Sequence, residues 1–289
     1  ERFLNMSDHK VSRDEALQAN IYVHSFLANS GEYNKSPHFR PENQDKVRKI
    51  LLRLTSLCPE KKKVIDFGCG TGFLINLMHD LFDEVHGVDI TQDMMKQVDL
   101  SSGNITLHES IAESTPFEAD SFDFATGYSF MDHLVDYRAF LQEAYRVLKK
   151  GGVFYSDLNP NREFISAIAA AEKISCELLP ITPIVQREIQ GALHNGEHYQ
   201  ENFGMNASML EKAEPIKTLD HGFNAVEVLE AARNIGFSDC KVEFEWFLGQ
   251  AKVLHEQSIE DSNKVEQYLN SVLPVSSHLF KYLRFVFVK

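Results

Sequence analysis

Between residues 64 and 158, short apolar runs alternate with segments of helical period. The runs are VIDF (64–67), EVHGVD (84–89), ITLHE (105–109), FDFATGY (122–128) and GGVFYSDL (151–158). Helices are predicted between them over 72–82 and 137–149. In the second, Phe140, Leu141, Ala144, Tyr145 and Leu148 share one face. Strands separated by helices imply right-handed crossovers and a mainly parallel sheet. VIDF is almost wholly apolar, as suits a strand covered on both faces. Upstream, helices are predicted over 12–29, where Ser12 and Glu15 have capping-box spacing, and over 42–57, with Val47, Ile50, Leu51, Leu54 and Leu57 at helical spacing. The polar stretch SGEYNKSPHFRPEN lies between them.

After Pro160 the alternation stops. Residues 161–179 have helical character, and 180–222 show no clear period. It resumes with a helix over 225–234 closed by Gly236, a strand CKVEFEWFL (240–248), a helix over 261–272 and a final strand KYLRFVFVK (281–289). The expected fold class is α/β: a doubly wound, mainly parallel sheet of seven strands, Rossmann-like, with the last strand antiparallel. Residues 46–159 and 223–289 form its core. An N-terminal helical segment, 1–45, and an insertion, 160–222, are left over to cap it.

Composition narrows the partners. Against 29 Lys and Arg stand 42 Asp and Glu, a formal charge of −13. So acidic a surface repels phosphate backbones, and no nucleic acid is expected as partner. The four cysteines, Cys58, Cys69, Cys176 and Cys240, form no C-x-x-C pair. Neither a disulfide framework nor a cysteine-rich metal site is expected, which fits a reducing, cytoplasmic setting. No apolar run approaches the roughly 20 residues of a membrane span, and no secretory leader is recognisable, so integral membrane association is not expected.

The most specific chemical signal is VIDFGCGTG (64–72). It places Asp66, Gly68, Gly70 and Gly72 at alternate positions between a strand and a helix. Glycine there allows a sharp turn and lets a ligand approach the main chain. A dinucleotide G-x-G-x-x-G beginning at Gly68 would need glycine at 73, where this chain has Phe73, and no lysine follows in P-loop register. Asp89 closes the second strand, where a carboxylate can accept both hydroxyls of a ribose. Loop and carboxylate together indicate a nucleoside ligand.

These residues resemble the class I S-adenosylmethionine-dependent methyltransferases. VIDFGCGTG is similar to the family's first motif and VHGVDIT to its second-strand motif. The long stretch ESIAESTPFEADSFDFATGYSFMDHLVDYRAFLQEAYRVLKKGGVFYSDL is similar to the branch acting on small molecules. The resemblance covers 60–160 strongly and 222–248 loosely. It implies S-adenosyl-L-methionine as cofactor and S-adenosyl-L-homocysteine as product. It further implies that the loop from Asp66 through Gly68, Cys69 and Gly70 to Gly72 faces the methionine portion and that Asp89 holds the ribose. Ile90 and Met94 would flank the adenine, Ala112 and Glu113 meet its edge, and Gly127 and Tyr128 meet the amino-acid end. Many relatives carry aspartate where this chain has Ile111, which leaves the adenine amino contact to Glu113 or the backbone.

Methyl transfer is an in-line displacement. It needs alignment and exclusion of water, and a base only where the nucleophile must lose a proton. His133, in FMDHLVD just beyond the fourth strand, is one candidate base; its alternative role is to fix the loop. HNGEH (194–198) matches H-x-x-E-H and offers His194 and His198, but Gly196 weakens a helix there and no third ligand follows, so no metal is expected. A substrate-lining loop and plain surface are the other readings of that stretch. The chain has GYSF at 127–130 rather than the [N/D/S]-P-P-[Y/F/W] motif of enzymes that methylate amino groups of nucleic-acid bases. The expected acceptor is a small molecule, methylated at oxygen or nitrogen. The alternatives are a non-catalytic binding or assembly protein of this fold and a nicotinamide oxidoreductase. The two added blocks have pairing into a homodimer as their alternative role.

Overall fold

The computed structural model describes residues 11–36, 39–175 and 180–289. Residues 1–10, 37–38 and 176–179, with Cys176 and the end of the helix expected over 161–179, lie outside them. In chain order the elements are α1 (Arg13–Ser30), α2 (Pro41–Thr55), β1 (Lys63–Phe67), α3 (Phe73–Met78), β2 (Glu84–Asp89), α4 (Gln92–Met95), β3 (Ile105–Glu109), β4 (Phe122–Tyr128), α5 (Tyr137–Val147) and β5 (Leu148–Pro160). There follow α6 (Arg162–Ser175), α7 (Pro183–Leu193), α8 (Asn195–Phe203), α9 (Ala207–Ala213), α10 (Pro215–Leu219), α11 (Ala225–Ile235), β6 (Asp239–Phe247), α12 (Gln250–Glu256), α13 (Ile259–Ser271) and β7 (Phe280–Val288).

The sheet has seven strands in the order β3-β2-β1-β4-β5-β7-β6. The first five are mutually parallel, and β7 runs antiparallel to both β5 and β6. Alternation along β1, β2 and β5 feeds two cores, and in β4 a register shift between Phe122 and Phe124 sends these two rings to opposite faces. On one face Ile65, Phe67, Phe122 and Phe154 meet Phe140, Leu141 and Ala144 of α5 and Val228 and Ala232 of α11. On the other, Val64, Val85, Phe124 and Tyr155 meet Val47, Leu51 and Leu54 of α2 and Leu74 and Ile75 of α3. Coverage on both faces is why these strands read as apolar runs. The order reverses between β1 and β4, and a crevice opens outside their carboxyl ends.

The insertion differs from its sequence pattern. Residues 180–222, aperiodic in sequence, fold into four short helices, α7 to α10. Thr182 caps α7 and Asn206 caps α9 through their side chains. Helices α8, α9 and α10, of nine, seven and five residues, span too few turns to print a clear period. Helix α1 starts at the Ser12–Glu15 capping box and ends on Gly31 at φ 72°. It packs on the insertion through Ala19 and Val23 against Met205, Leu210 and Ala213. The N-terminal block and the insertion are thus in contact over the carboxyl edge of the sheet.

Candidate functional site

The turn after β1 is shaped by three glycines with positive φ: Gly68 at 66°, Gly70 at 52° and Gly72 at 85°. Their surroundings differ. A Cβ on Gly68 would lie 2.1 Å from the Phe130 ring, and one on Gly72 would lie 3.0 Å from Val98. At Gly70 the nearest atoms are the Tyr33 hydroxyl at 3.4 Å and Met94 Cε at 3.5 Å. Gly68 and Gly72 are therefore needed for packing, while Gly70, buried beneath Tyr33, lines the cleft with only ordinary contacts around it.

Asp89, at the end of β2, is fixed by two backbone donors: Gly70 N–H at 2.8 Å on Oδ2 and Thr91 N–H at 2.8 Å on Oδ1. Each carboxylate oxygen keeps a further acceptor position, enough for two hydroxyls. Burial raises the Asp89 carboxyl above its usual range, opposed by those backbone bonds. Asp66 lies deeper, with Oδ1 accepting from the Thr126 hydroxyl at 2.7 Å. Burial pushes its carboxyl up to about 7.

These features bound a cleft at the carboxyl ends of β1, β2 and β4. Of the residues expected to hold a nucleoside cofactor, Gly68, Gly70, Asp89, Ile90, Met94, Ala112, Glu113 and Tyr128 line it. Asp66, Cys69, Gly72 and Gly127 are not among the lining residues; they shape the turn and strand ends behind it. Ser110 and Ile111 complete the wall at the end of β3. The Glu113 carboxylate lies 3.4 Å from the Arg13 guanidinium of α1.

The remaining wall comes from the N-terminal segment expected as a cap, through residues that the sequence pattern does not single out. Leu17, Asn20 and His24 of α1, and Tyr33 just beyond it, close the cleft from above, and Phe130 forms part of its side. The available signal was Asn20, a polar residue beside the apolar Ala16, Ala19 and Val23. It is buried and bridges two elements, donating to the Ala16 carbonyl at 2.9 Å and to the His133 carbonyl at 3.2 Å. Burial raises the Tyr33 hydroxyl, and the nearby Asp89 and Asp66 add to it.

His133 follows β4 in a short 3-10 turn, Met131–His133, and lines the cleft. Its Nδ1 lies 2.9 Å from the Ala213 carbonyl. A carbonyl only accepts, so Nδ1 carries the proton and the neutral ring keeps its lone pair on Nε2. His24 repeats the arrangement, with Nδ1 donating to the Asn20 carbonyl at 2.9 Å, and its ring stands edge-on to His133 at 5.0 Å. Burial lowers His24 to about 4, so that ring is neutral at ordinary pH.

The other histidine candidates lie elsewhere. His194 sits between α7 and α8 with Nε2 2.7 Å from Glu172, and His198 lies within α8 with Nδ1 3.1 Å from Asn202. Neither lines the cleft. The stretch expected as a substrate-lining loop is helical from Asn195 onward. Phe203 is exposed, and Met205 belongs to the packing between α1 and α9. Cys58 and Cys69 are free and buried, and Cys240 is free and partly exposed. Among the described residues no helix is long and apolar enough to cross a membrane.

Comparison with known proteins places this geometry. A family model described as a methyltransferase domain matches residues 65–156. A ubiquinone biosynthesis O-methyltransferase of Paraburkholderia phymatum is 34% identical over 126 residues, 41% of this chain and 54% of that protein. The ubiquinone biosynthesis O-methyltransferase of Idiomarina loihiensis is 34% identical over 120 residues, 39% of this chain and 49% of that protein. The chain spans about half the length of the curated relatives it matches. Among solved structures, phosphoethanolamine N-methyltransferase 2 of Haemonchus contortus, in complex with phosphomonomethylethanolamine and S-adenosylhomocysteine, aligns over 96% of this chain and 60% of its own, with TM-score 0.54 and 16% identity. That likeness is one of fold.

Proposed function

We propose, from the premise that this chain belongs to the class I S-adenosylmethionine-dependent methyltransferases through its 65–156 core, that it transfers the cofactor's methyl group to an oxygen or nitrogen of a small-molecule acceptor. The curated relatives are O-methyltransferases, which favours oxygen. The observation that carries the reading is the conjunction of Gly70 and Asp89 in one cleft at the switch point of the sheet. A main-chain turn open to a ligand beside a carboxylate with spare acceptor positions suits an amino-acid-bearing nucleoside.

S-adenosylmethionine supplies an electrophilic methyl carbon on a sulfonium. The residues of this chain do the rest. Gly68 and Gly70 present main chain to the methionine portion, Asp89 accepts the ribose hydroxyls, and Ile90, Met94 and Ala112 offer an apolar seat for the base. Tyr33, Leu17 and His24 cover the cleft and exclude water, which sharpens every electrostatic interaction inside it. His133 Nε2 receives the acceptor's proton where the nucleophile carries one. Residues 1–45 and 160–222 form the cap that selects the acceptor, on a core of 46–159 and 223–289. The packing of α1 on α9 supports treating them as one unit. The acidic surface supports a small-molecule rather than a nucleic-acid partner, and the free thiols of Cys58, Cys69 and Cys240 suit the cytoplasm. Sedimentation tests the competing role of the cap blocks in pairing two copies.

The test is incubation of the chain with methyl-deuterated S-adenosylmethionine and a small-metabolite extract, followed by mass spectrometry. The expected result is stoichiometric S-adenosylhomocysteine and a labelled small molecule. Cofactor binding with no labelled product from extracts, proteins or nucleic acids would instead assign a non-catalytic binding role.

A further inference from the structure

Behind His133 lies a buried charged cluster that cofactor binding does not use. Asp132 is only 6% exposed, and its Oδ1 has no hydrogen-bond partner among the described residues. Asp132, His133 and Glu214 each bring a carboxylate oxygen or ring nitrogen within 4.8 Å of the others. Glu214 Oε2 is paired with Lys217 Nζ at 2.6 Å. The groups facing this spot come from several elements: His24 from α1, Tyr199 from α8, the Ala213 carbonyl from the end of α9, Lys217 from α10 and Tyr282 from β7.

Two carboxyl groups, Asp132 and Glu214, share one ammonium, Lys217, which sits on Glu214, and His24 is neutral. A buried negative charge without a counter-charge is costly, and so is a buried carboxylate oxygen without a donor. A divalent ion is a poor solution, because the Lys217 ammonium already occupies Glu214 and His133 Nδ1 is spent on Ala213. The direction of the titrations agrees with a cluster short of positive charge. Burial raises Asp132, whereas Glu214, which burial alone would raise, is held below its usual range by Lys217 and His133.

We infer that Asp132 and Glu214 are positioning residues that hold the imidazolium formed when His133 takes the acceptor's proton. This rests on the reading of His133 as proton acceptor. The acceptor's O–H or N–H proton moves to His133 Nε2. The electron pair left on the acceptor atom forms the bond to the methyl carbon, and the pair of the breaking carbon–sulfur bond returns to sulfur. The positive charge that leaves the sulfonium thus reappears on the ring, beside the Asp132 and Glu214 carboxyl groups, of which only Glu214 has a cationic partner. Because Nδ1 is held by Ala213 of the insertion, the cap also fixes the orientation of the ring.

The test is a pH titration of the histidine rings by NMR on the full chain labelled with 15N-histidine, which requires no acceptor. In Asp132→Asn the His133 curve should move to lower pH by about one unit or more, the scale of losing one charge within roughly 4–6 Å. Glu214→Gln should move it the same way, and Asp132→Glu should restore the parent curve. His194 and His198 should titrate unchanged in every variant, which also reports an intact fold. If Asp132→Asn does not fold, Glu214→Gln and Asp132→Glu decide alone. A His133 curve that superimposes on the parent's in the folded neutral variants overturns the inference. His133→Gln tests the underlying reading separately, with an expected fall in methyl transfer of roughly 10²–10⁴-fold at unchanged cofactor affinity. Transfer at the parent rate in that variant would remove His133 as base, while the ring titration would still decide whether the carboxylates hold its charge.

Discussion

The Asp89 carboxylate and the Gly70 backbone N–H meet at 2.8 Å, joining the end of β2 to the glycine turn after β1. One residue thus both closes the turn and faces the cleft. Asp89→Ala should weaken S-adenosylmethionine binding at least tenfold, from the loss of roughly 1.5–3 kcal/mol per charged hydrogen bond. Calorimetry measures this, with circular dichroism to show that the fold persists. An unchanged dissociation constant would move the ribose site elsewhere.

Asp66 makes stability depend on pH in an unusual direction. Its carboxyl is raised from an ordinary 3.8 to about 7 by burial. The native state therefore keeps a proton that the unfolded chain releases. Stability from this group is fully present below about pH 4 and is lost as pH rises toward about 7, on the order of a few kcal/mol. Asp66→Asn keeps an oxygen for Thr126 and removes the titration. Urea unfolding should show the variant gaining on the parent between about pH 4 and 7. Parallel pH profiles would contradict this.

Much of this arrangement is legible in the sequence because it is local. Strands β1 and β4 are marked by largely apolar, buried runs, β2 and β3 by short runs at regular spacing, and the turn after β1 by glycines that few other structures require. The Ser12–Glu15 box marks the start of α1 to the residue. The illegible parts depend on contacts between distant segments. Nothing in the N-terminal pattern says that Asn20 and His24 reach the turn after β4, or that Tyr33 covers Gly70. The helices of the insertion depend on packing with distant partners: α9 on α1, α7 on α6, and Ile216 of α10 in the main core. The same holds for Arg284, buried on β7 with its Nε 2.7 Å from Asp157 and its Nη1 2.7 Å from both Glu243 and Glu245. Its partners lie on two other strands, β5 and β6, and cannot be paired from spacing.

Met205 tests the joint between the two cap blocks. It is fully buried among Ala19, Val23, Leu210 and Ala213. Met205→Ala leaves a cavity, a change that costs about 2–5 kcal/mol in well-packed cores. Amide exchange should accelerate in Arg13–Ser30 and Ala207–Ala213 while the parallel strands stay protected. Uniform acceleration across the sheet would mean that the cap and core unfold as one unit.

The most direct measurement is calorimetric titration of the chain with S-adenosylmethionine, S-adenosylhomocysteine and NAD, repeated on Gly70→Val. That substitution forces a branched side chain into a position at φ 52° whose Cβ would stand 3.4 Å from the Tyr33 hydroxyl. The expected result is single-site binding of both S-adenosyl compounds in about the micromolar range, no binding of NAD, and loss of at least tenfold in affinity in a folded Gly70→Val. Binding of NAD in place of the S-adenosyl compounds, or a Gly70→Val chain that binds them as the parent does, would contradict the assignment of this cleft.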